Sequence, residues 1–328
     1  MTTQSPIPYT RQDTASKIAA DIASSIQGKV IITTGVSPNG LGAHFVETIA
    51  KYKPRLLILA GRSAAKLQAT ADKISSVPAS KGVETRALLL DLASQKQIRE
   101  AAKVVLAYPE DIDIVVNSAG IMTGPYRTTE EGIEAQFGSN HIGHFLFTNL
   151  IIAKVLASPN PRVINVSSDG HRLSPVRFED WNFQDGKVYD QWKAYGQSKS
   201  ANIIFSKALE QKLGAQGLRS YSLHPGVIFG TSLAPGVGET DYAALKALDK
   251  EMGDPLGEEG AAFEVKNLDE GTATHVVAAF DPRLNAVNGV YLEDGNISDR
   301  ARPTATRPEY VEKLWELSEQ LVGQPFRY

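Results

Sequence analysis

Tyr195-Gly196-Gln197-Ser198-Lys199 sets a phenol and an ammonium four positions apart. On a helix, positions i and i+4 share a face, so Lys199 would lie one turn from Tyr195 and point the same way. A free phenol titrates near about 10, too high for efficient proton exchange near neutrality, and a neighbouring cation favours its ionised form. Tyr195 is therefore the candidate acid/base. Ser168 ends an apolar run, where its hydroxyl can hydrogen-bond a substrate oxygen and polarise a carbonyl or hold an alcohol. With Asn140 upstream, these side chains can assemble a hydride-transfer site. The bare spacing also fits an exposed helix with a solvated lysine, and the surrounding elements decide between the two.

Short apolar runs, several rich in β-branched residues, alternate with helical patterns. The runs are Val30 to Ile32, Leu56 to Leu59, Ala87 to Leu90, Ile112 to Val116, Val163 to Val166, Tyr221 to Leu223 and Val290 to Leu292. Between them lie Ala43 to Tyr52, Ala64 to Ser75, Gln95 to Leu106, Gly132 to Ala157 and Tyr195 to Leu213, each long enough for a crossover helix. Repeated β-α units predict an α/β chain: a single-domain, Rossmann-like, doubly wound parallel sheet with helices on both faces. A polar leader and a short amphipathic helix, with Ile18, Ile22 and Ile26 at helical spacing and Asp13 or Thr14 as cap, occupy 1–27. The domain proper spans 28–328. Between 230 and 264 the pattern loosens around Gly236, Gly238, Gly253, Gly257 and Gly260, a candidate C-terminal substrate lid or else a surface insertion.

The 328 residues are 42% hydrophobic and 22% charged with a net charge of −3, enough for a large core and without the basic balance of a nucleic-acid binder. With no cysteine, disulfides, thiol nucleophiles and thiolate zinc sites are excluded. No secretory h-region and no run of about 18 apolar residues occurs, so a soluble, cytoplasmic protein is expected. The six histidines lack the HExxH spacing of a helix-borne zinc site, and no metal is expected. His141 and His144 follow Asn140 on one helix, and His171 is expected to be a loop residue exposed to water. Trp181, Phe183 and Trp192 either wall an apolar pocket or pack their segment.

The first apolar run leads into Thr34-Gly35-Val36-Ser37-Pro38-Asn39-Gly40-Leu41-Gly42 and then a helix. Strand, glycine turn and helix make a dinucleotide site, because glycine lets the backbone approach a pyrophosphate and the helix N-terminus offers unpaired N–H groups. The second strand ends Leu59-Ala60-Gly61-Arg62-Ser63, without the acid that accepts ribose hydroxyls in NAD sites. Arg62 suits a bidentate pairing with a 2′-phosphate, with Ser37 or Ser63 as added donors, which predicts NADP(H).

These residues resemble the short-chain dehydrogenase/reductase superfamily, most closely its retinol-dehydrogenase-like and WW-domain-oxidoreductase-like branch. The resemblance runs from the glycine loop through Asp91-Leu92, Asn117-Ser118-Ala119-Gly120, Asn140, Asn165-Val166-Ser167-Ser168, Tyr195 to Lys199, and His224-Pro225-Gly226. The segment from Trp192 to Asn202 is especially like that branch. By that resemblance, Gly35, Ser37, Asn39, Gly40, Leu41 and Gly42 would cradle the cofactor, and Asp91 and Leu92 would flank its adenine. Asn117, Ala119 and Gly120 would line the path to the ribose, with strand-end capping the other role for Asn117. Pro225, Gly226, Val227 and Thr231 would meet the carboxamide. Tyr195 and Lys199 would also touch the cofactor, and Asn140 would hold a water linking Lys199 to solvent, or else be a buried, satisfied amide. Three departures stand out: four residues rather than three separate Gly35 from Gly40, which implies a bulged turn, Asn117-Ser118-Ala119-Gly120 stands where the family has Asn-Asn-Ala-Gly, and Thr231 comes one residue late after Pro225-Gly226. The expected activity is NADP(H)-dependent interconversion of a carbonyl and an alcohol on a lipophilic small molecule. The alternatives are a non-redox isomerase, lyase or cyclase on the same scaffold, and a regulatory protein without turnover. The resemblance also allows a homodimer through the helices carrying Asn140 and Tyr195.

Overall fold

The computed structural model describes residues 9–231, 233, 239–253 and 264–328. β1 (Val30–Thr34) and β2 (Leu56–Gly61) are buried almost throughout, as strands covered on both faces must be. With β3 (Glu84–Leu89), β4 (Ile114–Asn117), β5 (Arg162–Val166), β6 (Arg219–His224), β7 (Tyr291–Glu293) and β8 (Asn296–Ser298) they form an eight-stranded sheet in the order β3-β2-β1-β4-β5-β6-β7-β8. All pairs are parallel except β7 with β8. Chain order reverses between β1 and β4, so the strand ends there open a crevice for a ligand.

Helices α1 (Ala15–Asp21), α2 (Ala23–Ile26), α3 (Leu41–Ile49), α4 (Ala64–Ser76) and α5 (Gln95–Leu106) occupy the first half of the chain. Thr14 caps α1, accepting from Lys17 N–H, and Ile18 and Ile26 join Phe45 and Ile49 of α3 in the core on one sheet face. The opposite face is covered by α5 and by α6 (Ala135–Phe137), α7 (Gly143–Leu156) and α8 (Gln191–Leu213). One continuous helix was expected from Gly132 to Ala157. The helix starts later, where the buried Glu134 carboxylate accepts from the Gln136 and Phe137 N–H groups, and a π turn over Gly138–Ile142 interrupts it. Helix α8 begins four residues before Tyr195 because Asp190 accepts from the Trp192 and Lys193 N–H groups.

The last third holds most of what the apolar pattern did not show: α9 (Glu239–Glu251), α10 (Leu268–Phe280), α11 (Pro303–Thr306) and α12 (Pro308–Val322). Helix α9 lies inside the segment read as a loosened lid, while Gly236, Gly238, Gly257 and Gly260 lie outside the described residues. Signals for the rest were present. An Asn267/Glu270 capping box opens α10, and Asp294-Gly295, both at positive φ, turns β7 into β8. Helix α12 and the tail lie over α7 and α8: Trp315 meets Phe145 at 5.0 Å, Phe326 meets it at 5.6 Å, and Tyr328 donates to Asn149 at 3.0 Å. No described helix is long and apolar enough to cross a membrane.

Candidate active site

The C-terminal ends of β1, β2, β4, β5 and β6 open into a cavity of about 410 Å³. Gly35, Ser37, Gly40, Leu41 and Gly42 form part of its wall. Helix α3 starts there with Gly40 as its N-cap, no capping side chain and no acid in its first turn. Its first N–H groups thus remain available to an anion, which fits the pyrophosphate that the glycine loop implies. Gly35 sits at φ 74°, and a Cβ on it would lie 2.6 Å from Ala119 Cα, so the loop packs on the end of β4 only with glycine there. The extra loop residue is absorbed in a tight turn: Gly40 N–H donates to the Ser37 carbonyl at 3.1 Å, with Asn39 at φ 64°. Asn39 itself is exposed and off the cavity wall.

Arg62 lies on the wall, joined by Lys66, one turn along, which the sequence reading missed. Ser63, offered as a further donor, caps α4 by accepting from Lys66 N–H. Leu92, Ala119, Gly120, Pro225, Gly226, Val227 and Thr231 all reach the cavity, whereas Asp91 and Asn117 do not. Asp91 accepts from Ala93 N–H at 2.9 Å. Asn117 is a buried bolt between layers, donating to Thr148 Oγ1 at 3.0 Å and to Asn165 Oδ1 at 2.9 Å.

Tyr195 and Lys199 share the cavity-facing side of α8, and Ser168 follows β5 to meet them. All three reach the cavity, with Tyr195 4% and Lys199 3% exposed. The Ser168 hydroxyl lies beside Tyr195, across Gly170, and accepts from the Gly170 N–H at 3.0 Å. Gly170 makes room: a Cβ on it would fall 2.5 Å from Tyr195 Cε1. The expected lowering of the phenol pKa by Lys199 is not what dominates. Burial pushes Tyr195 up to about 12, with the neighbouring Ser168 hydroxyl pulling the other way, and pushes Lys199 down to about 8. The ammonium donates to the Val166 carbonyl at 3.0 Å and lies 5.6 Å from the Tyr195 ring centre.

Asn140 lies in the π turn, fully buried and off the cavity wall. Its Oδ1 accepts from Ile121 N–H at 2.8 Å, and its amide donates to the Ile121 carbonyl and to Ser198 Oγ, both at 2.9 Å. Its backbone carbonyl is held by His144 Nδ1 at 2.9 Å, and His144 Nε2 meets Thr34 Oγ1 at 2.9 Å. The π turn is thereby pinned to the strand that feeds the glycine loop.

Part of the wall is apolar, with Ile121, Met122, Leu173, Trp192, Phe229 and Leu245. Trp192 therefore walls the cavity, while Trp181 packs against the main core and Phe183 against Tyr189 of its own segment. Leu245 and Leu248 of α9 pack with Leu173 and Trp192. Asp249, also on the wall, lies 3.6 Å from both Arg172 and Arg302. His171 corrects an expectation: it is 1% exposed, because the turn after Ser168 folds under the C-terminal segment. Among the described residues, Asp169, His224 and Glu293 bring metal-ligating side-chain types within 4.8 Å of one another. His224 Nε2 pairs with Asp169 at 3.2 Å and Glu293 with Arg300 at 3.1 Å.

Residues 29–178 match the family model described as short chain dehydrogenase. Human retinol dehydrogenase 13 is 35% identical over 311 residues, covering 92% of this chain and 86% of its own. The chloroplastic short-chain dehydrogenase TIC 32 B of Brassica napus is 33% identical over 321 residues, covering 94% and 93%. A solved structure of an uncharacterised Mycobacterium paratuberculosis protein superposes with a TM-score of 0.70 at 28% identity, over 94% of this chain and 98% of that one. The chain belongs to the short-chain dehydrogenase/reductase family, in its retinol-dehydrogenase-like branch. Membership makes it an oxidoreductase of carbonyl and alcohol groups that uses a nicotinamide cofactor.

Proposed function

We propose that the protein is an NADP(H)-dependent reductase of lipophilic aldehydes or ketones, with Tyr195 as the proton donor. The observation that carries this reading is that Ser168, Tyr195 and Lys199 line one cavity that runs from the uncapped N-terminus of α3 to an apolar wall. The α3 N-terminus and Gly35 to Gly42 would hold the pyrophosphate, and Arg62 with Lys66 would meet a 2′-phosphate. A reduced nicotinamide bound there supplies the hydride. Ser168 donates its hydroxyl hydrogen to the substrate oxygen and orients the carbonyl, while Tyr195 delivers a proton to that oxygen as negative charge builds on it. Lys199 in its ammonium form offsets the charge left on the phenolate. Asn140 acts from behind, holding the Ile121 backbone against Ser198 of α8. The apolar residues favour a lipophilic substrate by excluding water from it, and α9 serves as its lid. A dimer through α7 and α8 is not part of this reading, because α12 and the tail occupy that face.

The test follows NADPH and NADH oxidation against a panel of lipophilic aldehydes and ketones. Turnover with NADPH preferred, and lost in Tyr195→Phe, supports the reading. NADPH binding without oxidation of any panel member, together with isomerase or lyase turnover that needs Tyr195, would replace it with non-redox chemistry.

A further inference from the structure

Ser168 is followed by a peptide unit whose two polar atoms are both taken by imidazole rings. The Ser168 carbonyl, which can only accept, faces His171 Nδ1 at 2.7 Å. The Asp169 N–H, which can only donate, faces His224 Nδ1 at 3.1 Å. These contacts demand opposite tautomers. His171 carries its proton on Nδ1, which leaves Nε2 as an acceptor, and the Arg302 N–H donates to it at 3.1 Å. His224 has a bare Nδ1 and carries its proton on Nε2, which lies 3.2 Å from Asp169 Oδ2. All four ring nitrogens thus meet a partner of the required kind, on two rings that are 1% and 5% exposed.

We propose that His171 and His224 are positioning residues that clamp the Ser168–Asp169 peptide and thereby aim the Ser168 hydroxyl at Tyr195. The proposal rests on the role given to Ser168 above. Ser168 is extended, with φ −167° and ψ 158°. Turning about its ψ would swing this peptide plane against the Cα–Cβ bond that carries the hydroxyl, so a plane held on both sides fixes that bond, while the Gly170 N–H, donating to Oγ at 3.0 Å, holds the rotation about it. The rings reach the peptide from separate places. His171 lies in the 3-10 turn just after Ser168, and His224 ends β6, immediately before the Pro225-Gly226-Val227 wall. Arg302, the outer partner of His171, also approaches Asp249 of the lid helix at 3.6 Å. The serine is therefore tied to the cofactor wall on one side and to the lid on the other.

The clamp can be read in the wild-type chain without turnover, by long-range proton–nitrogen correlation of nitrogen-labelled histidine side chains. His171 protonated on Nδ1 and His224 protonated on Nε2 is the expected pattern. The same tautomer in both rings, or a fully protonated ring at neutral pH, overturns the proposal. Kinetics provide the second arm. His224→Ala and His171→Ala should each lower kcat by about tenfold to a hundredfold, as loss of alignment does, with the KM for NADPH unchanged. His224→Asn and His171→Asn place an acceptor or a donor near the lost Nδ1 and should recover most of kcat. Equal losses in the Ala and Asn variants would count against the clamp. Ser168→Ala separates the two ideas. Wild-type turnover in that variant removes the role of Ser168 itself, whereas its loss alongside fully active His→Ala variants removes only the clamp.

Discussion

The two halves of the cavity wall are built by different means. On the nucleotide side the wall is largely backbone: the Gly35–Gly42 loop, the uncapped start of α3 and the ends of β4 and β6, each fixed by the sheet. On the substrate side it is largely side chain: Met122, Leu173, Trp192 and Leu245, drawn from segments spread over more than a hundred residues of sequence. Backbone recognition needs glycine at set positions and tolerates little change, whereas an apolar wall accepts many side chains of similar volume. On the reading proposed above, one half is therefore suited to the cofactor and the other to an apolar substrate. Tyr195, Lys199 and Ser168 stand on the seam.

The contrast breaks most sharply at the seam. Tyr195→Phe keeps the ring but removes the proton, and kcat should fall by about 10²–10⁴-fold while NADPH binding, read by fluorescence titration, stays unchanged. A variant that also lost NADPH binding would show that the two halves are not separable there.

Arg62→Ala tests the nucleotide half alone. It should raise the KM for NADPH by about tenfold to a hundredfold, the worth of a charge-assisted pairing, and leave NADH and the carbonyl substrate nearly unaffected. Lys66→Ala should shift the same quantity by less.

The pH profile sharpens the seam. Burial pushes Lys199 down to about 8, so its ammonium is present below that pH and lost above it. Reduction should slow by up to about tenfold as pH rises through this value, because the charge opposing the phenolate disappears. A kcat that stays flat well above pH 8 would remove Lys199 from that role.

Asp249→Asn addresses the substrate half. Weakening the contacts to Arg172 and Arg302 should loosen α9 and raise the substrate KM by about threefold to tenfold, with the KM for NADPH unchanged. An equal rise in both would mean that α9 is not a substrate lid.

Several elements were legible because their signals are local. The β-α alternation from Val30 to Leu213 pointed to the sheet, and Gly35, Ser37, Gly40, Leu41, Gly42, Arg62, Ser168, Tyr195 and Lys199, though not Asn39, lie on one cavity wall. Helix α9 escaped because its glycine-rich surroundings masked its period. Helix α12 and the turn from β7 into β8 had local signals, Pro308 and Gly323 for one and Asp294-Gly295 for the other, that the apolar-run pattern passed over.

The sequence by itself determined the β-α alternation as far as Leu213, the glycine turn, the i, i+4 pair on α8 and the cation after β2, since each depends on neighbours within a few residues. Only the tertiary structure decided that Asn117, Asn140 and His171 are buried within hydrogen-bond networks, that Lys66 joins Arg62, and that burial rather than Lys199 dominates the phenol. Desolvation and hydrogen-bond partnership depend on which distant segments pack around a group, and spacing along the chain carries no measure of that.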